Sequence, residues 1–237
     1  MIKAWSLSRL DVFETCPQRA YLQYVEKIPQ NPIVPPPGKD EHALTRGLRI
    51  HDAAEMYVKE DTLLIPELEY FTNEFIAARE QYRTAPATCV IEEDWAITSD
   101  WKPTGWYSDD AWGRMKLDLG LIDGTSMRVI DYKTGKKYAL KHRQQGQLYG
   151  LCAALRYPEI ETFSIEFWYA DQNDTLKTTY SSLQLRIFQD DFHRRAEDMT
   201  TATTFPARPS SYACRFCPYG EGHDGNKHCE FRYSYEN

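Results

Sequence analysis

The sequence predicts an α/β fold, helices followed by strands and helices in turn. Three observations carry this expectation. Helical stretches extend to about residue 83, and runs with strand patterning then occupy 88–98, 112–122 and 127–133. A further helical stretch, 138–156, leads into two more strand-like runs at 163–170 and 175–181. The length of 237 residues suits one large domain, 1–237, and 42% hydrophobic with 27% charged residues excludes a disordered or fibrous chain.

In chain order, Ser8 with Asp11 makes a capping-box-like helix start, and Leu10 and Phe13 share a face until Pro17 interrupts or restarts the helix. Gln18 to Lys27 reads as a second short helix. Pro32, Pro35, Pro36, Pro37 and Gly38 cannot continue it and mark an internal linker. Helices are expected at 41–60 and 66–83, completing a helical N-terminal part, 1–85. An α/β core, 86–205, opens with the strand 88–98 and a loop rich in Trp and Asp, 99–110. Asp123-Gly124 turns the strand 112–122 back into 127–133, and Thr134-Gly135 ends the latter. Leu148, Leu151, Cys152 and Leu155 give the helix 138–156 its apolar face, Asn173-Asp174 marks a second hairpin, and a helix follows at about 184–201. A Cys-rich tail, 206–237, reads as irregular.

The longest apolar run, Leu151 to Leu155, is far short of the ~20 residues of a membrane helix, and no export signal follows Met1. The expectation is a cytoplasmic protein without a membrane partner. With 28 Lys and Arg against 35 Asp and Glu, the net charge of −7 repels polyanions, so any nucleic-acid contact must be local. Arg128, Lys133, Lys136, Lys137, Lys141 and Arg143 against Asp131 alone form such a patch, and a solvated face is the alternative. Cys214 and Cys217 form a C-x2-C pair, with Cys229 downstream and Cys16 near the other end; Cys89 and Cys152 sit in apolar segments as small buried hydrophobes.

Strand alternation sends Met115, Leu117, Leu119 and Leu121 one way and Lys116, Asp118 and Gly120 the other. Asp131 and Lys133 share a face of the next strand, Val129-Ile130-Asp131-Tyr132-Lys133, where each is costly to bury alone. If the hairpin places Asp118 on that face, two carboxylates meet one ammonium. Such acids repel unless a cation lies between them, and hard oxygen ligands suit Mg²⁺ or Mn²⁺; an Asp131–Lys133 ion pair without metal is the alternative. Gln145 and Tyr149, at i and i+4, lie on one face of the next helix, and His51 on an earlier helix could supply an imidazole. Glu92 and Glu93 are further candidates, or simply a solvated strand edge.

His51, Lys116-Leu117-Asp118-Leu119-Gly120, Ile130-Asp131-Tyr132-Lys133-Thr134-Gly135-Lys136 and Gln145-x-x-x-Tyr149, in this order, resemble the motif series of the PD-(D/E)XK nuclease superfamily. Within it the chain is most similar to the RecB-type branch, which includes AddB-like and CRISPR-associated RecB-like exonucleases. Leu117 stands where the family name has Pro, and Asp131 is the Asp variant of the second acid. The resemblance implies a restriction-endonuclease-like core, a central mixed sheet flanked by helices, in which His51, Asp118, Asp131 and the Tyr132 carbonyl hold Mg²⁺ or Mn²⁺. Asp118, Asp131 and Lys133 would be catalytic, and Gln145, Tyr149, Lys136, Lys137 and Arg143 would meet substrate. In this branch one early and three late cysteines hold a [4Fe-4S] cluster, so Cys16, Cys214, Cys217 and Cys229 would tie the N-terminal helices to the tail. His223 and His228, within the long gap before Cys229, keep Zn²⁺ open. The implied activity is a DNA exonuclease of recombination or repair, including those carried by phages, acting on DNA ends, single strands foremost. A recombination or single-strand annealing protein is the implied partner. A CRISPR adaptation nuclease that trims spacers and a non-catalytic DNA-end-binding module are the alternatives. No G-x-x-x-x-G-K-[ST] loop occurs, so no motor activity is expected.

Overall fold

A computed structural model describes residues 1–30, 34–215, 217–220 and 228–231, without the Arg215 side chain. Part of the Pro-rich linker and His223 lie outside the described residues. The chain forms two compact units. One unites residues 1–30, 112–114 and the described residues from 191 onward; the other comprises Val34–Ala111 and Met115–Asp190.

In the first unit, Ser6 rather than Ser8 caps helix α1, Leu7–Thr15, by accepting from Arg9 N. Pro17 restarts the chain as α2, Pro17–Ala20, because its missing N–H is an orphan at a helix start anyway. The second half of the expected helix widens into a π turn, Tyr21–Val25. Trp5 pairs with the strand segment at Gly113 and stacks on Phe192 of the C-terminal part. Arg195 clasps Glu14 through two bonds of 2.6 and 2.9 Å, and the tail contains a short helix, Ser211–Arg215, where an irregular segment was expected.

The second unit holds the sheet. Helices α3, Ala43–Lys59, and α4, Thr72–Thr84, precede strands β1, Cys89–Ile97, and β2, Pro103–Thr104, the latter inside the expected loop. Strands β3, Gly113–Asp123, and β4, Ser126–Lys133, form an antiparallel hairpin closed at the Asp123–Ser126 pair, where Gly124 has φ +56°. Helix α5, Ala139–Arg156, then crosses over so that β5, Thr162–Tyr169, lies parallel to β4; β6, Asp174–Ser181, returns antiparallel. The order β2-β1-β3-β4-β5-β6 makes the sheet mixed, as expected. The helix expected at 184–201 is two, α6, Ser182–Arg186, and α7, Gln189–Thr200, with α6 started by a Ser181–Gln184 capping box. The Ser211–Arg215 helix is α8.

Ile50, Ala54, Tyr57 and Val58 of α3 and Phe75 and Ala78 of α4 cover one sheet face, packing on Leu119, Leu121, Ile130, Tyr132 and Trp168. The opposite face carries Ile165 and Phe167 against α5, which comes close only because Gly146 and Gly150 lack side chains. Among the described residues no helix is long and apolar enough to cross a membrane.

Candidate active site

The β3–β4 register, Leu119 opposite Ile130, sets Asp118 opposite Asp131 and therefore on the same face. At that point the ladder changes character. The Asp118 side chain, not its backbone, takes the Tyr132 N–H, at 2.8 Å. Both acids are buried, Asp118 at 5% and Asp131 at 3% exposure. The Lys133 ammonium lies 2.5 Å from Asp131 Oδ2 and over the Phe167 ring, while Gln145 donates to Asp131 Oδ1 at 3.2 Å and to the Tyr149 hydroxyl at 2.7 Å.

His51 sits at the margin of the buried face of α3. Its Nε2 donates to the Tyr132 carbonyl at 3.2 Å, and its Nδ1 lies 3.3 Å from Glu92 and 3.4 Å from Asp118. One peptide thus serves two groups: the Tyr132 N–H binds Asp118 and the Tyr132 carbonyl binds His51. His51, Glu92 and Asp118 bring their ligand atoms within 4.8 Å of one another, a group able to hold a metal ion. Asp131 adjoins this trio rather than joining it.

The electrostatics report an excess of negative charge. Burial, then Asp131, raise the Asp118 carboxyl to about 6 against the pull of His51. Burial opposes charging of His51, yet Asp118 and Glu92 outweigh it and lift the imidazole to about 10. The charge that holds this proton can hold a divalent cation in its place, and carboxylate oxygens, a carbonyl and an imidazole suit Mg²⁺ or Mn²⁺. The donor set fits a divalent ion.

Glu92 was the uncertain candidate in the sequence. Its backbone has φ +48°, which breaks the alternation of β1 and turns its side chain to His51, while Glu93 instead accepts from the Trp95 indole. Tyr149 is buried beneath Gln145, with burial raising its hydroxyl far above the ordinary value, so it holds Gln145 in place. Lys136 and Arg143 are exposed, and Lys137 pairs with Asp174 at 2.5 Å. A second set of bonds links α3 to the turn after Lys133. Asp171 accepts from Gly135 N at 2.7 Å and from Arg46 at 2.6 and 3.0 Å, and Gln172 donates to the Gly135 carbonyl.

In the first unit, Cys16, Cys214, Cys217 and Cys229 line one pocket together with Arg19 and Leu22, but among the described residues their sulfurs do not close into the expected four-ligand metal group. Burial pushes the Cys217 thiol up, and Cys229 and Cys16 add to the shift. Cys152 is buried as expected, whereas Cys89 is half-buried.

A mixed sheet that delivers buried acids, a lysine and an imidazole to one strand end suits hydrolysis at a divalent ion. The chain matches the PD-(D/E)XK nuclease superfamily over residues 4–221 and belongs to it, which implies phosphodiester hydrolysis with DNA as substrate. Among solved structures it is similar to SSO0001, at 13% identity over 92% of this chain and 84% of that one, with a TM-score of 0.40. It is also similar to an Eubacterium rectale protein named "Putative exonuclease", at 12% identity over 91% and 86%, with a TM-score of 0.45. No curated protein matches the chain.

Proposed function

We propose that the chain is a metal-dependent DNA exonuclease that processes DNA ends in recombination or repair. The convergence of His51, Glu92 and Asp118 beside the Asp131–Lys133 pair supports this reading. His51, Asp118, Asp131 and the Tyr132 carbonyl would hold the ion, with Glu92 added to the set. When bound, the ion supplies a nucleophilic water and stabilises charge on phosphorus. Lys133, steadied by Asp131 and Phe167, orients that water and meets the negative charge that develops on the phosphoryl oxygens. Gln145, fixed between Asp131 and Tyr149, positions the strand, and Lys136, Lys137 and Arg143 attract its phosphates. Asp131→Ala or Lys133→Ala should lower cleavage of end-labelled linear DNA in Mg²⁺ or Mn²⁺ at least a hundredfold while DNA binding survives. Cleavage that persists in excess chelator, or in both variants, would refute the proposal. Closed circular DNA should resist the enzyme if ends are required.

The same resemblance implies that Cys16, Cys214, Cys217 and Cys229 would hold a [4Fe-4S] cluster tying α1 and α2 to the tail, and their lining of one pocket is what speaks for it. Anaerobically purified protein should be brown, and Cys217→Ala should bleach it and lower its melting temperature. Colourless protein with one equivalent of zinc would replace the cluster by a tetrahedral site.

A further inference from the structure

One buried titratable side chain plays no part in the chemistry above. His142, in the first turn of α5, is 7% exposed, and an imidazole removed from water costs stability unless its nitrogens gain a partner in return. Its neighbours on the same helical stripe make the residue conspicuous. They are Gly146 and Gly150, where side chains of β5 and α6 crowd the bare backbone, so packing along this stripe calls for small, apolar groups. His142 instead meets two rings of β5. It stacks on Phe167, with centroids 5.5 Å apart and 24° between the planes, and its Nδ1 shares a hydrogen bond of 2.7 Å with the Tyr169 hydroxyl. The parallel register sets Phe167 beside Asp131 and Tyr169 beside Lys133, so both rings lie on the face that carries the Asp131–Lys133 pair. The Lys133 ammonium lies 5.6 Å from the centre of the ring that His142 braces.

We infer that His142 is a positioning residue for Lys133: anchored by the Tyr169 hydroxyl, it fixes the tilt of Phe167, and the face of that ring fixes the ammonium that meets the reacting phosphate. The inference rests on the nuclease reading and adds to it a residue that acts through another. Asp131 is itself assigned to the ion, so the ring gives Lys133 a second seat that does not compete with metal binding. An aromatic face attracts a cation without accepting its N–H groups, which leaves them free for water and phosphoryl oxygen. A leucine at 142 would fill similar space, but nothing would hold it at one angle. Burial, then Lys133, keep the imidazole below its ordinary value, so at neutral pH it adds no repulsion beside the ammonium.

The test is single-turnover cleavage of end-labelled linear DNA in Mn²⁺ by wild type, His142→Leu and Tyr169→Phe, each alone and combined with Lys133→Met. Tyr169→Phe removes one oxygen atom and leaves the rings in place. His142→Leu should lower the maximal rate about tenfold and Tyr169→Phe about fivefold, with the half-saturating protein concentration held within about twofold, because Lys133 meets charge that develops only in the transition state. In the Lys133→Met background each change should cost less than about twofold, since no ammonium is left to position. Equal proportional losses in both backgrounds overturn the inference. A second readout needs no cleavage. In metal-free protein carrying carbon-labelled lysine, the Lys133 side-chain resonance, identified by its loss in Lys133→Met, should be shifted upfield by the Phe167 ring and move toward the value of free lysine in both variants. A resonance that neither variant moves also overturns the inference. Wild type that never cuts DNA, but whose Lys133 resonance responds to both variants, keeps the positioning of Lys133 and removes the nuclease reading.

Discussion

Glu92 occupies a backbone conformation that glycine adopts freely and glutamate does not, at φ +48°. Such strain costs on the order of 1 kcal/mol and persists where a side chain is wanted in one place. Glu92→Gly should therefore raise the melting temperature of the metal-free protein by about 2 to 4 °C, while calorimetry shows Mn²⁺ affinity at least tenfold weaker. A fall in melting temperature would mean that the His51 contact outweighs the strain. Asp118, Asp131 and Lys133 were legible in the sequence because a hairpin fixes register and register fixes which side chains share a face. Glu92 was not, because two adjacent glutamates in a strand look alike until one backbone angle sends the first to His51 and leaves the second with Trp95.

At the level of elements, the approach of α5 to the sheet decides where Gln145 stands. A methyl group at Gly146 would lie 2.7 Å from Ile165 Cγ2 and 3.0 Å from Phe167, so Gly146→Ala should cost about 1 to 3 kcal/mol in urea unfolding. It should also lower turnover by moving the neighbouring Gln145. The link between α3 and the turn after Lys133 makes a different prediction. Arg46 and Asp171 are each 29% exposed, so their ion pair adds little stability. Asp171→Ala should leave the melting temperature within about 2 °C of wild type yet lower kcat and Mn²⁺ affinity roughly 10- to 100-fold, the scale of lost support behind a metal site. Equal loss of stability and activity would make Asp171 merely structural. The limits of α3, α5 and every strand but β2 followed from periodicity to within a few residues. The break between α6 and α7 did not, since it falls at Ile187–Phe188, where Phe188 meets Tyr180 edge to face, a contact between residues that periodicity does not relate.

For the molecule as a whole, the inner strands are held by one buried acid as well as by apolar packing. Glu166 on β5 accepts from Arg128 at 2.8 and 3.0 Å, from Trp168 at 3.1 Å and from Ser164 at 3.0 Å, and it pairs with Lys177 at 3.1 Å. Burial works to raise its carboxyl, but Arg128, Trp168 and Lys177 prevail and lower it from 4.5 to about 2. A carboxyl lowered by folding stabilises the protein fully above its unfolded value and loses that contribution as pH falls through its folded value. The urea midpoints of wild type and Glu166→Gln should therefore differ by a constant amount above about pH 4.5 and converge toward pH 2. A gap that survives at pH 2 would assign the effect to packing. The sequence marked Asp131 and Lys133 as charges needing partners, but Glu166 passed as an ordinary polar residue in a strand, because its partners lie on β4 and β6, far apart in sequence.

The parallel pairing of β4 with β5 also sets when the enzyme can first act. A ribosome that has released residues up to Arg156 has already delivered His51, both aspartates, Lys133 and Gln145. That nascent chain still lacks the strand that flanks Asp131 through Lys133, as well as Asp171, which holds the turn beyond them. The site is thus completed only with the last inner strand, after its acids, lysine and imidazole have all been made.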